Sequence, residues 1–457
     1  MRMKLLVAGI AIAISGPTLA VDDIELLKQQ LEALKQDYEH RIQALENRLK
    51  KAETNVERVS AKASRVGKEA SRLGTPRVTY GENSFNPAIS LILDGRYASF
   101  DNKSNYELPG FALGSEAGVG SAGFSLGHTE LAASANIDDK FYGQATLAIH
   151  EHDGSTELEL EEAFIQTLGL GNGLTVRAGR FFSALGYLNE QHEHTWDFAD
   201  PPLIYRGLFG NQLRDDGLQV SYIAPTDTFL QLGAEAFKGS RFPAGGEHDG
   251  VGSWTAFANI GGDIGIEHSW LVGLGHWQAN DIQGRTSAVH SHGGTVETPS
   301  FTGKNKIDAL DVVYKWSPDG NPKNQNFKFQ FEYFDRREDG TVTILNSSPL
   351  ETTSYDGHQR GWYTQAIYQF MPQWRAGLRY DRLDSDNTGS DTGVLGEVKL
   401  SNKGHTPKRY SAMLEWLPSE FGRIRLQFNR DESYKDADNQ FFLQYTHSLG
   451  SHGAHLF

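Results

Sequence analysis

The sequence contains no cysteine, so disulfide staples and thiolate metal centres are excluded. Past the first twenty residues, no stretch approaches the roughly 18 consecutive apolar residues that a membrane-spanning helix needs. Positive charge is scarce: 43 Lys and Arg stand against 58 Asp and Glu, a formal net charge of −15 at pH 7. Nucleic acid is therefore set aside as a partner. Methionine is rare, with 4 residues against 25 Phe, 17 Tyr and 8 Trp. There is no HExxH, no P-loop and no GxGxxG that opens a helix, and no enzymatic activity is expected.

The chain opens on an address signal. Arg2 and Lys4 precede an apolar run from Leu5 to Ile14, and Thr18-Leu19-Ala20 supplies a small-residue cleavage site. Residues 1–20 read as a secretory signal peptide. A helical arm is expected over 21–73. Its apolar residues recur at heptad spacing through Ile24, Leu27, Leu31, Leu34 and Tyr38. After one stutter they resume through Ile42, Leu45, Leu49, Ala52, Val56, Val59, Ala63, Val66, Ala70 and Leu73. Such a seam predicts an N-terminal α-helical coiled coil. Gly74, Thr75 and Pro76 stop it, and a linker covers 74–86.

From residue 87 to 457 the period changes to two. Tyr410, Ala412, Leu414 and Trp416 alternate with Ser411, Met413 and Glu415. Ile424, Leu426 and Phe428 alternate with arginines and amides, and Phe327, Phe329, Phe331 and Tyr333 with Lys328, Gln330 and Glu332. Strands are predicted near 88–100, 123–137, 141–151, 156–168, 174–186, 214–224, 228–239, 253–262, 268–280, 306–317, 325–336, 360–371, 373–384, 408–417, 422–432 and 439–449. That is about 16, an even number, as bacterial membrane barrels have. Short turns such as Asp138–Lys140 and Met371–Gln373 alternate with long links at 101–122, 187–213, 240–252, 281–305, 337–359 and 385–407. This rhythm separates a membrane barrel from a soluble sandwich. The expected class is all-β, a transmembrane antiparallel β-barrel of about 16 strands behind the coiled coil. Its place is the bacterial outer membrane, with the coiled coil in the periplasm.

These features, with the terminal Phe457, resemble the sixteen-stranded outer-membrane porin superfamily. Val176–Gly186 (VRAGRFFSALG) and Asp197–Pro202 (DFADPP) resemble the phosphate-selective branch, in its strand before the third external loop and in that loop. The resemblance implies a loop folded into the barrel, a homotrimer, insertion by the barrel-assembly machinery, and outer-membrane lipid as surroundings. The paired histidines and the tail GSHGAHLF resemble proteins described as zinc-regulated outer-membrane receptors. A TonB-dependent transporter is disfavoured, because the heptad arm occupies the place of a plug domain and the remaining chain is too short for about 22 strands.

Two sets of residues carry the functional expectations. A pore constriction is expected where Glu190, Glu193, Asp197, Asp200 and Arg206 of the link 187–213 face the inward Arg177, Arg375, Arg379, Arg423 and Arg425. An acidic loop opposite a basic wall filters solutes by polarity. The carboxylates Glu157, Glu159 and Glu161 share one face at period two and read as an acidic lumen stripe rather than a catalytic pair. His192 with His194, His290 with His292, and His150 with His152 offer imidazole pairs that suit Zn2+. No cofactor is required, and Zn2+ enters as ligand or cargo. The leading expectation is passive diffusion of small hydrophilic solutes or ions. Zinc-linked metal uptake through the loop histidines and a structural tether from outer membrane to cell wall stay open beside it.

Overall fold

The computed structural model describes residues 87–450, except 103–106, 115–116, 153–154, 247, 288–289 and 293–294; for 150–155 and 288–297 it describes at most the backbone course. The signal peptide, heptad arm and linker expected over 1–86 and the tail 451–457 lie outside these residues.

Among the described residues, eighteen strands follow in chain order. They are β1 Ala88–Phe100, β2 Gly123–Leu126, β3 Thr129–Asn136, β4 Phe141–His152, β5 Ser155–Thr167, β6 Leu174–Phe182, β7 Arg214–Ile223, β8 Phe229–Phe237 and β9 Ser253–Ile264. There follow β10 His268–Thr286, β11 His290–His292, β12 Thr295–Trp316, β13 Asn326–Leu345, β14 Glu351–Met371, β15 Trp374–Thr388, β16 Lys408–Ser419, β17 Gly422–Glu432 and β18 Asp438–Gly450. Neighbours pair antiparallel, and β1 pairs with β18, which closes the sheet. β2 and β3 share one stave against β1, and β11 is a short addition to β12, so the closed wall has sixteen staves. At the seam, buried Asp94 of β1 accepts Thr446 Oγ1 at 2.6 Å and Gln444 Nε2 at 3.1 Å, both from β18.

The alternation predicted from sequence is the alternation of the wall, turned inside out relative to a soluble protein. In β16, Tyr410, Ala412, Leu414 and Trp416 point outward while Arg409, Ser411, Met413 and Glu415 point into the lumen. Leu426, Phe428, Phe441, Leu443 and Tyr445 continue the outer apolar face. In water such a surface would cost about 25 cal/mol per Å2. In lipid it costs nothing. The band has visible edges. On β13 the outer face runs Phe327, Phe329, Phe331, Tyr333, then changes to Asp335, Arg337 and Asp339. On β15 it changes after Tyr380 to Arg382 and Asp384. Aromatic rings meet side by side along this edge: Trp362 and Tyr380 at 5.2 Å, Tyr380 and Tyr410 at 5.0 Å. Trp374 and Trp416, 6.2 Å apart, mark the opposite edge. From Trp374 to Tyr380 is roughly 20 Å along the strand, close to the height of a membrane-barrel apolar band.

Two expected loops are corrected. Most of 281–305 and 337–359 is strand, because β10, β12, β13 and β14 continue past the aromatic edge. Beyond that edge the outer face meets water and carries Asp, Arg, Thr and Ser, so the sequence there looks like loop. The inner face still alternates through Phe301, Val342, Ile344 and Tyr355, all buried.

Those inward apolar residues cover a core that fills the long-loop end of the barrel. Helix α1, Leu203–Phe209, is buried along its whole length there. Leu203, Ile204, Tyr205, Leu208 and Phe209 pack with Leu108 and Phe111 of the link 101–122 and with Val394 and Leu395 of helix α2, Thr392–Glu397. Asp391 caps α2 through the backbone N–H groups of Gly393 and Val394.

Candidate functional site

The link between β6 and β7, residues 183–213, folds into the lumen. Its two roots are stapled by Asn189, whose amide donates to the carbonyls of Ser183 at 2.7 Å and Leu213 at 2.8 Å, while its oxygen accepts the Leu213 N–H at 2.7 Å. The following stretch lies against β13–β17 and is bonded to that wall at almost every residue. Arg423 donates to the His194 carbonyl at 2.7 Å, and Arg425 to the Trp196 carbonyl at 2.6 Å. Asp197 meets Lys328 at 3.0 Å and Arg375 at 3.5 Å. The Arg379 guanidinium stacks over the Phe198 ring at 4.5 Å.

Asp200 is a further anchor, buried like Asp197. Its carboxylate meets Arg379 at 2.8 Å and Arg409 at 2.7 Å and accepts the amide of Asn429 at 3.0 Å. Burial opposes its charge, but Arg409 and Arg379 outweigh burial and hold the carboxyl down at about 2. Asp197 is likewise held well below the usual range: burial opposes its charge, and Lys328 and Arg375 prevail. The expected acidic loop and basic wall are thus joined directly, carboxylate to guanidinium. Such buried pairs fix a position more than they add stability, and removing one partner strands the other.

The other constriction residues are placed as follows. Arg206 is buried in α1 and donates Nε to the Ala117 carbonyl at 2.8 Å. Arg177 bonds Gln166 at 3.1 Å and lies over Phe164. Glu193 accepts the Asn211 amide and faces His128 Nδ1 at 3.7 Å. Glu190 lines a cavity of about 770 Å3 between the loop and the short-turn end of the barrel, whose mouth includes Glu267, Ser317 and Pro322. On the other side of the loop the lumen is filled by the apolar core described above.

Burial pushes the Glu190 carboxyl up from 4.5 to about 7; Arg177 opposes this, and Glu235 and Glu162 add to it. Its raised value means the folded state keeps a proton that the unfolded chain has lost. This group's contribution is therefore fully favourable below about 4.5 and declines as pH rises to about 7. Glu190→Gln is expected to match the wild type near pH 4 and to melt about 2 °C higher at pH 8. Thermal scans at both pH values check it; equal midpoints at pH 8 would contradict it.

A second cluster lies where the loop meets β3 and β5. His192 Nδ1 is 3.2 Å from Glu130 and 3.5 Å from Glu161, its Nε2 is 2.9 Å from Glu162, and His194 Nδ1 is 2.7 Å from Glu130. Two bulges assemble it. The pairing of β1 slips by one residue between β2 and β3, around Gly127 and His128, so Thr129 and Glu130 are both buried. On β5 the register slips across Glu161, so Glu161 and Glu162 both enter the lumen. The small residues Thr146 and Ala148 of β4 leave room between them. Glu159 and Glu161 keep the single face expected of the acidic stripe, both paired with Arg214 while Leu158 and Leu160 face outward; the slip adds Glu162 to that face, and Glu157, at its outer end, is exposed. His128, Glu130 and Glu162 were not singled out by sequence as ligand candidates. The side chains of His150, His152, His290 and His292 lie outside the described residues. The segment Gly123–Gly127 (GFSLG) has the spacing of a nucleophile elbow, but it leads into β3 rather than a helix, which excludes that motif.

No protein-family model matches the chain. An uncharacterized protein of Aquifex aeolicus is 32% identical over 410 residues, covering 83% of this chain and 81% of that protein. Among solved structures, OmpT of Vibrio cholerae expressed in the outer membrane is 10% identical with a TM-score of 0.47, covering 81% of this chain and 99% of that one. The outer membrane channel DcaP of Acinetobacter baumannii is 13% identical at a TM-score of 0.47, covering 80% and 96%. An anion-selective porin from Comamonas acidovorans is 12% identical at 0.44, covering 80% and 99%.

Proposed function

We propose that this chain, which belongs to the same family as the Aquifex aeolicus protein, is an outer-membrane channel for small hydrophilic solutes or ions, held shut in this conformation by its inner loop. The observation that carries the reading is a closed barrel, apolar outside and charged inside, whose lumen opens from the short-turn end and stops at the loop 183–213. A wall built only for structure has no use for a polar lumen. Purely passive diffusion through a standing hole does not fit a long-loop end packed with Leu, Ile, Phe and Tyr. The stretch from His194 to Pro201 is held by ion pairs and hydrogen bonds with alternatives in water, which suits an element that moves, while α1 beyond it is packed in the apolar core.

In this reading the barrel sits in outer-membrane lipid with its short turns in the periplasm. Trimerisation, insertion by the barrel-assembly machinery and a cell-wall contact made by the heptad arm accompany it as expectations carried by the sequence alone. Purified protein in planar bilayers is expected to give discrete conductance steps with low open probability. Complete absence of steps across applied voltages, for both the wild type and a variant lacking 187–211, would overturn the channel.

A further inference from the structure

We propose that Glu130, His192 and His194, with the Glu161 carboxylate beside His192, form a mononuclear site for a divalent transition-metal cation of the Zn2+ class that ties the inner loop to the barrel wall. One ligand atom from each of Glu130, His192 and His194 lies within 4.8 Å of the others. In a tetrahedral site with metal–ligand bonds near 2.0–2.1 Å, neighbouring donors are about 3.3 Å apart. His192 Nδ1 lies 3.2 Å from Glu130 Oε2 and 3.5 Å from Glu161 Oε2.

The hydrogen bonding points the same way. His192 Nε2 sits 2.9 Å from Glu162 Oε2, and in the tautomer that carries its proton there Nδ1 presents a lone pair for a metal ion. That lone pair faces two carboxylates. His192 Nδ1 and Glu161 Oε2 are both buried and make no hydrogen bond, although the Glu161 side chain is only 2% exposed. Two buried carboxylates facing one imidazole nitrogen call for a positive charge there, either a proton on Nδ1 or a metal ion in its place. A carboxylate behind the far nitrogen of a ligating imidazole is also the usual outer-shell arrangement of zinc sites. Arg214 takes the other oxygen of Glu161 at 3.2 Å and orients it. Imidazole with carboxylate favours Zn2+ over the hard cations Mg2+ and Ca2+, which prefer oxygen alone.

The ligands come from separate parts of the chain: Glu130 from the wall, His192 and His194 from the loop. A bound cation therefore cross-links the two. Binding stands independently of the channel; the role as a latch rests on the channel reading, and the test separates them. Full-length protein in detergent, stripped with chelator, is titrated with ZnCl2 by calorimetry. One saturable site per chain is expected, weakened at least 100-fold in Glu130→Gln and in His192→Ala. Co2+ in its place gives visible ligand-field bands that the same substitutions remove. X-ray absorption at the zinc edge of the wild-type protein, which needs no variant, reports two imidazoles and oxygen donors. No zinc binding, binding indifferent to both substitutions, or a shell without imidazole each overturns the site. With binding in hand, micromolar Zn2+ added to bilayers lowers open probability in the wild type and not in His192→Ala; an equal effect on both overturns the latch and leaves the site.

Discussion

Asp200→Ala opens the lumen. The substitution removes the carboxylate between Arg379 and Arg409, which are 4% and 0% exposed. Neither guanidinium can reach bulk water while the loop is docked. Breaking one member of a buried ion cluster costs about 3–5 kcal/mol. Asp381 softens the loss, since it lies 3.2 Å from Arg379 and 3.5 Å from Arg409, so the low end applies. About 3 kcal/mol shifts a docked-to-undocked ratio by roughly a hundredfold. Single-channel recording is expected to show open probability higher by about that factor with unchanged step size, because the wall is intact. An open probability equal to the wild type would mean that the loop does not gate. Asp200→Asn keeps hydrogen bonds to Asn429 and to one arginine and should fall between the two.

The second large effect is steric. Gly207 sits in α1, and a Cβ built on it would lie 2.9 Å from Cδ1 of Phe111. Phe111 is 1% exposed and belongs to the link 101–122. In Gly207→Leu the side chain must occupy the space of that ring, and overpacking of this kind costs about 1–3 kcal/mol. The backbone of α1 can keep its shape, so the strain falls on the contact between the two loops. Chymotrypsin is expected to cut after Phe111 roughly tenfold faster in the variant, with Gly207→Ala intermediate, since there the ring need shift only by tenths of an ångström. Unchanged protection in Gly207→Leu would show that the two loops are not interlocked at this point.

What the sequence made legible was whatever repeats at short range. The period-two runs at Tyr410–Leu417 and Ile424–Asn429, and tight turns such as Met371–Gln373, located the staves and their facing residues. The bulges were illegible because one extra residue leaves no mark in composition; Glu161 looks like another member of an acidic run. The ends of the membrane band were hidden by the same logic. At Tyr333 and Asp335 the strand continues while its outer partner changes from lipid to water, and a polar stretch then reads as loop. The acidic loop and basic wall were visible as opposite signs. That Asp200 lies between Arg379 and Arg409 depends on a loop path across more than 170 residues of sequence. His192 and His194 stood out as a pair, whereas their acidic partners had no local signal: Glu130 is 64 residues from His194.

The seam at Asp94 has a consequence for how the protein is made. β1 is the first described strand and β18 the last, so the barrel has no inside until β18 has been made and paired with β1. Until then Phe111, Leu203, Ile204, Leu208, Phe334 and Tyr363 have no interior in which to hide. They cannot be sheltered by lipid either, since they lie on the face that lipid never meets. Contacts between distant parts of a chain form late, and unburied apolar surface aggregates meanwhile. Until the seam closes, those residues need shelter from one another and from other chains. The filling of the barrel is an act of the finished molecule, completed only after its two ends have met.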